Sequence, residues 1–364
     1  MMTTLMTAAL LLNVLVGGEA ANLQAILDHA RSAQDIPGVS AVVTRHDEVL
    51  FSGGSGVADL QTGRKMTADT VLYAGSLTKL LTGVLTLRLV DEGSISLDST
   101  VDGIADNDPA EAPAITVAEL LTHTSGLERE GNFGYWFSAD FPDRASLRDY
   151  LGNTELRTVP GAKESYSNIG FAALGLFIEK TTGERYFDAL RHDVLEPLGM
   201  DSTGSPGPVA GIARGYTPRG RIIPSAEHAF AGVGKAIEGR HLREYHDARA
   251  MTPAFGVYTT ANDLGRLAQF LGGYIASDLL PAALRRRMVT PQASGRTLGL
   301  GIEHYNGRTI ARHGGWFAAH KSHILIDPES GIGVVVMANS DNADPDAIAK
   351  VLFREALHGE QRGD

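Results

Sequence analysis

Ser76 and Lys79 stand three residues apart in Tyr73-Ala-Gly-Ser-Leu-Thr-Lys79, at the head of an apolar run that reaches Val90. The run contains Leu77, Leu80, Leu81, Val84, Leu85, Leu87 and Leu89 and stops at Asp91-Glu92-Gly93. Good helix formers ending at a glycine predict a helix with a glycine C-cap. Apolar residues surround nearly its whole circumference, so it should be buried. Residues i and i+3 share a helix face, which lets the Lys79 amine reach the Ser76 hydroxyl. A hydroxyl is a weak nucleophile until a base takes its proton, and a desolvated lysine can be that base. The plainer alternative makes Ser76 an N-cap and Lys79 a surface residue.

Two further stretches carry chemistry-bearing side chains. Glu164-Ser-Tyr166-Ser-Asn168 follows Pro160-Gly161 and precedes an apolar helix beginning at Ile169. A tyrosine on such a loop can project into a cleft, and Asn168 can bond a substrate amide or hold a lysine; otherwise Asn168 is an N-cap and Tyr166 packs nearby. Arg312-His313-Gly314-Gly315-Trp316 follows a short strand. Its glycines allow close backbone approach, and an N–H there, opposite that of Ser76, would make an oxyanion hole. His313 could bond a substrate or share a proton with Tyr166, and it would then change activity between about pH 5.5 and 7.5. The alternative is a simple His-Gly-Gly turn. His123 should hold the turn after its helix, and His320 and His323 should face opposite sides of one strand.

The elements that must position these residues fall into three zones. Asn22 to Gln34 has helical spacing, and Val39 to Thr44 with Val49 to Val57 suggest a hairpin. Past Ser76 the chain turns helical: Val117 to Leu121, Phe171 to Lys180, Phe187 to Val194 and Asn262 to Leu271. From Leu298 strands return, at Leu300 to Ile302, Thr309 to Arg312, His323 to Ile326 and Ile332 to Met337. A helix from Pro345 to Ala356 closes the chain. Strands at both ends predict an α+β fold, an antiparallel sheet flanked by helices with a helical lobe inserted. Residues 22–75 and 295–364 would form the α/β lobe and residues 76–294 the helical lobe. Gly204 to Gly220 should be irregular. The aromatic loop Gly131 to Asp143, with Phe133, Tyr135, Trp136, Phe137 and Phe141, should form one rim of the cleft.

Composition narrows the partners. The 364 residues carry a net charge of −11 and no cysteine. Acidity without a dense basic block argues against nucleic acid, and the absence of cysteine excludes disulfides and Cys-ligated zinc. The run Arg285-Arg286-Arg287 reads as an exposed helix face. No His-Glu-x-x-His, phosphate loop or Gly-x-Ser-x-Gly elbow occurs, so neither a metal nor a cofactor is expected. Leu5 to Val16 has the length of a signal-peptide core, and Gly18-Glu19-Ala20 offers small residues for cleavage. No Lys or Arg precedes it. Residues 1–21 are thus expected as a signal peptide, making the protein periplasmic or secreted, or else as a retained arm of a cytoplasmic one. No integral membrane anchor is expected.

Ser76-Leu-Thr-Lys79, Tyr166-Ser-Asn168 and His313-Gly-Gly315 together resemble, in order and rough spacing, the three motifs of serine β-lactamases and penicillin-binding proteins. The chain looks like the class C branch, with its DD-peptidases, D-aminopeptidases and esterases. Leu121-Thr-His-Thr-Ser-Gly-Leu127, Glu196-Pro-Leu-Gly-Met200 and Pro253 to Leu264 extend the likeness across about Gly38 to Asn339. The resemblance implies that Ser76 is acylated, that Lys79 and Tyr166 exchange protons with it, and that Asn168 contacts the substrate amide. It places His313 where the third motif opens and the oxyanion hole at the N–H groups of Ser76 and Trp316. His-Gly-Gly replaces the usual Lys-Thr-Gly, which implies a weaker hold on a substrate carboxylate and weak β-lactam hydrolysis. Trp316 is expected to narrow the cleft. The expected function is therefore a serine hydrolase on a small or peptide-like acyl substrate. It would be a D-amino-acid-type peptidase or amidase, or a carboxylesterase. The alternative is a non-catalytic binding or scaffolding protein on the same fold.

Overall fold

The structure, a computed structural model, describes residues 2–105, 114–135, 140–205, 211–221, 233–243, 247–291, 295 and 297–362. Its strands are β1 (Gly38–Arg45), β2 (Glu48–Asp59), β3 (Arg64–Lys65), β4 (Leu72–Tyr73), β5 (Gly215–Tyr216), β6 (Val233–Ile237), β7 (Arg240–Arg243), β8 (Tyr258–Thr259), β9 (Gly301–Tyr305), β10 (Arg308–Phe317), β11 (His320–Asp327) and β12 (Ile332–Ala338). The helices are α1 (Met2–Ala33), α2 (Thr78–Asp91), α3 (Val117–Leu121), α4 (Arg144–Asn153), α5 (Asn168–Thr182), α6 (Tyr186–Leu190), α7 (Glu196–Leu198), α8 (Ala261–Gly272), α9 (Ala282–Val289) and α10 (Pro345–Arg362).

The main sheet runs β3-β2-β1-β12-β11-β10-β9, with neighbouring strands antiparallel. The hairpin near the N-terminus therefore meets the C-terminal strands through β1 and β12, with Val42 opposite Val335. Alternation divides the side chains between two cores. Val39, Ala41, Val43, Val334 and Val336 pack with Leu23 and Leu27 of α1 and Leu352 and Phe353 of α10. Val42, Val335 and Met337 face the opposite way, into the larger core containing α2, α5 and α8. The N-terminal apolar segment and the helix expected at Asn22 to Gln34 form one continuous helix, α1. Among the described residues no helix is long and apolar enough to cross a membrane.

Helix α2 is as enclosed as its composition requires. Leu80, Leu81, Val84, Leu85 and Leu87 are each fully buried. Each such side chain contributes about 1.5–3 kcal/mol relative to exposure, which holds the Ser76 end rigid. Its C-cap is Glu92, and Gly93 follows with φ +75°. Helix α4 and the small sheet β5-β7-β6 go beyond the sequence expectation. Arg285, Arg286 and Arg287 lie on α9.

Two expectations need correction. The third motif does not follow a short strand; it lies inside β10, which continues to Phe317. Backbone pairing with β11, Gly314 opposite His323 and Gly315 opposite Ser322, holds that segment extended without help from side chains. The aromatic loop is also not a rim where it is described. Tyr135 and Phe141 are buried, stack on each other at 4.9 Å and pack toward Phe255. Trp136 and Phe137 lie outside the described residues.

Candidate active site

Ser76 sits in a single 3-10 turn, Gly75–Leu77, that leads directly into α2. Gly75 has φ +55°, and a Cβ there would collide with the backbone nitrogen of Trp316. Only glycine permits both the left-handed conformation and this contact. Gly315 answers it from β10, since a Cβ there would strike Ala74 O and come within 3.2 Å of the Ser76 nitrogen. Ser322 Oγ donates to Ala74 O at 2.7 Å and pins the same crossing from behind. The backbone nitrogens of Ser76 and Trp316 are thereby brought to one place. Strand β9 pairs with β10 up to Arg312, and among the described residues no strand pairs with that outer edge from His313 onward.

Lys79, the second residue of α2, is wholly buried. Its Nζ lies 3.3 Å from Ser76 Oγ and donates to Asn168 Oδ1 and Ala254 O, each at 2.7 Å. Burial lowers the ammonium well below its ordinary value; the Glu130 carboxylate opposes this and Arg129 reinforces it. Tyr166 arrives from the loop before α5 and donates its phenol to Ser76 Oγ at 2.8 Å. Burial pushes that phenol up to about 12, against the Ser76 hydrogen bond and the Arg129 charge, so it is protonated near neutrality.

Asn168 is not the cap of α5. Ser167 takes that place, accepting from Gly170 N–H at 2.9 Å, and this leaves Asn168 free to turn inward. Of its two expected roles the geometry displays the lysine-holding one, for Asn168 Nδ2 lies 2.9 Å from both oxygens of Glu130. Glu130 also accepts from the Tyr135 phenol and from Arg129 Nε. Glu130 had no signature in the sequence, since one glutamate after a turn is common.

His123 does more than hold its turn. It has φ +56°, its carbonyl accepts from Ser165 N–H at 2.7 Å, and its Nδ1 accepts from Ser167 N–H at 3.1 Å. It thus grips the residues on both sides of Tyr166, and its ring lies 4.4 Å from the tyrosine ring. An Nδ1 that accepts carries no proton. Burial, with Lys79 and His313 nearby, lowers this imidazole well below its usual value.

His313 lines the cleft, 6.3 Å from the Tyr166 ring centre to centre, without a hydrogen bond to it. Nδ1 donates to Gly314 O at 2.7 Å, which leaves Nε2 as an acceptor. Burial against the cleft wall and repulsion from Lys79 push it down to about 3. The expected titration between pH 5.5 and 7.5 is therefore corrected: His313 is neutral throughout that range. His320 and His323 do face opposite ways. His320 Nδ1 accepts from Tyr73 N–H at 2.9 Å, while His323 Nε2 lies 3.2 Å from Asp346 on α10.

The cleft over Ser76 encloses about 780 Å³. Tyr166, Asn168, Phe255 and Arg129 line one side, and the His313–Trp316 edge lines the other. Trp316 lines it too, with its indole N–H donated to Asp341 at 2.8 Å. Among the described residues no cluster of side chains suits a metal ion.

A hydroxyl between a desolvated amine and a neutral phenol, beside two convergent backbone nitrogens, is equipped for acyl transfer. Comparison with known proteins agrees. Residues 23–357 match the family model described as Beta-lactamase. Esterase EstB of Burkholderia gladioli is 26% identical, covering 93% of this chain and 95% of its own. Penicillin-binding protein 4 of Amycolatopsis lactamdurans is 28% identical, covering 94% and 90%. The D-amino acid amidase of Ochrobactrum anthropi SV3 superposes with a TM-score of 0.76 over 94% of this chain and 98% of its own, at 23% identity, a likeness of fold. The chain belongs to the Beta-lactamase family and is a serine hydrolase.

Proposed function

We propose that Ser76 is acylated by the amide or ester it cleaves, with Lys79 as base and Tyr166 as acid. The observation that carries this is the placement of Ser76 Oγ between Lys79 Nζ and Tyr166 Oη. A neutral Lys79 has two N–H bonds, and two carbonyl oxygens at 2.7 Å accept them. Its lone pair is then left for the Ser76 proton. As Oγ adds to the substrate carbonyl, the oxygen gains charge and is received by the Ser76 and Trp316 N–H groups. The bond to the leaving nitrogen or oxygen breaks as Tyr166 protonates that atom, and Lys79 returns the proton to Tyr166. Water then attacks the acyl-enzyme by the same groups in reverse, which releases the acid and restores Ser76.

The substrate class that fits is a D-amino-acid-type peptide or amide, or a carboxylic ester, with β-lactams turned over weakly. His313 is neutral and presents an acceptor, so the third motif supplies no charge for a carboxylate fixed beside it. The test is labelling by a fluorescent penicillin together with turnover of a cephalosporin, a short-chain p-nitrophenyl ester and a D-alanyl peptide. The proposal expects Ser76→Ala to abolish labelling and all turnover. Labelling that survives in Ser76→Ala would refute it. Nothing in the assembled site favours a binding-only role.

A further inference from the structure

Arg129 stands at the mouth of the cleft. Its side chain is 67% exposed, and its guanidinium lies 5.1 Å from the Tyr166 ring centre. Among the described residues Arg129 bonds through Nε alone, to Glu130 at 3.0 Å, so both Nη groups of the fork remain for another acceptor. The other cations lining this cleft or its floor are committed. Lys79 is buried between two carbonyls, and Lys321 donates to Ala343 O at 2.9 Å. Glu130 offsets part of the Arg129 charge through Nε and also receives Asn168 and Tyr135, while the outward nitrogens of the guanidinium keep their donors.

Apart from the two backbone N–H groups set for the substrate carbonyl, the rest of the cleft offers a carboxylate little. His313 offers a lone pair, and the far end carries Asp341, Asp344 and Asp346. The phenol that protonates the departing atom is the ring beneath Arg129, so the leaving portion of the substrate lies on the Arg129 side.

We infer that Arg129 is a specificity-determining residue that binds a carboxylate on the leaving group. A planar fork with two unengaged nitrogens suits a carboxylate held by two parallel hydrogen bonds. This rests on the acyl-transfer reading of Ser76 and Tyr166. The substrates selected are amides or esters whose leaving group is an amino acid or hydroxy acid with a free carboxylate. A flexible leaving group can turn that carboxylate to Arg129, whereas a fused ring that fixes it beside His313 cannot.

The test uses two phenyl esters of one acyl group, whose leaving groups are 3-hydroxybenzoate and its uncharged twin 3-hydroxybenzamide. Wild type is expected to favour the carboxylate at least about tenfold in kcat/KM, less so at high salt. In Arg129→Ala the ratio should fall to about one, and Arg129→Lys should retain part of it. An unchanged ratio in Arg129→Ala overturns the inference. So does an equal loss for both esters, which a purely supporting role beneath Tyr166 would give. If neither ester is turned over, the hydrolase reading fails separately. Calorimetric binding of 3-hydroxybenzoate against 3-hydroxybenzamide to Ser76→Ala, with and without Arg129→Ala, then decides the anchor alone.

Discussion

Tyr166 donates its phenol to Ser76 Oγ over 2.8 Å, although the two residues are 90 apart in sequence. Helix α2 fixes one partner and the His123 grip on Ser165 and Ser167 fixes the other. Tyr166→Phe removes the proton donor but keeps the ring. The expected result is a fall in kcat of about 10²–10⁴, the usual worth of a positioned acid, with folding unchanged by circular dichroism. Because burial holds the phenol up to about 12, wild-type activity should show no alkaline loss from Tyr166 below about pH 11.

The acid limb should report Lys79. The base must be neutral, so kcat/KM rises with pH through the lysine value, which burial lowers. Glu130 opposes that lowering. Glu130→Gln removes the opposing charge, so the limb should move to lower pH. A limb that moves upward or stays would show that Glu130 does not act on Lys79. His313→Ala should leave the profile between pH 5.5 and 7.5 without a lost inflection, since the imidazole is already neutral there.

His123→Ala deletes the Nδ1 acceptor and the ring beside Tyr166. A misplacement of about 1 Å can cost roughly 10²-fold, so kcat is expected to fall about 10- to 100-fold while KM for a neutral ester changes little. The carbonyl contact to Ser165 survives, so the fold should persist. A kcat within twofold of wild type would show that the loop holds Tyr166 without the imidazole.

The fold itself should weaken in acid. His320 is buried and pushed down to about 4 by desolvation. An unfolded histidine takes a proton near pH 6.5. Between about 6.5 and 4 the unfolded chain binds more protons, so stability falls as pH falls. The slope is up to about 1.4 kcal/mol per pH unit for each such histidine. His320→Asn keeps an acceptor for Tyr73 N–H and does not titrate. Its melting temperature should depend less on pH between 4 and 6.5 than that of wild type.

Much of the site could be read from the chain because its motifs are local. Ser76 and Lys79 share one helix face at fixed spacing, and Tyr166 and His313 each sit beside Gly, Pro or Ser residues that mark a loop or a close approach. The buried run of α2 and the alternation in β1 and β12 likewise belong to single stretches. The strand expected at Thr309 to Arg312 runs on through its glycines to Phe317, because pairing with β11 overrides their low strand propensity. Ser167 rather than Asn168 capped α5, since either residue type can do so.

The amino-acid sequence alone determined which groups could react and the order in which they occur. The tertiary structure decided their protonation states and their free valences, because those depend on burial and on partners far along the chain. Lys79 is readied by Ala254 O, 175 residues away, and by an asparagine that Glu130 holds in place. His313 is kept neutral by the wall around it, and Arg129 keeps its outward nitrogens because Glu130 engages it through Nε. Desolvation and hydrogen-bond occupancy are properties of a surrounding in three dimensions, and no local pattern encodes them.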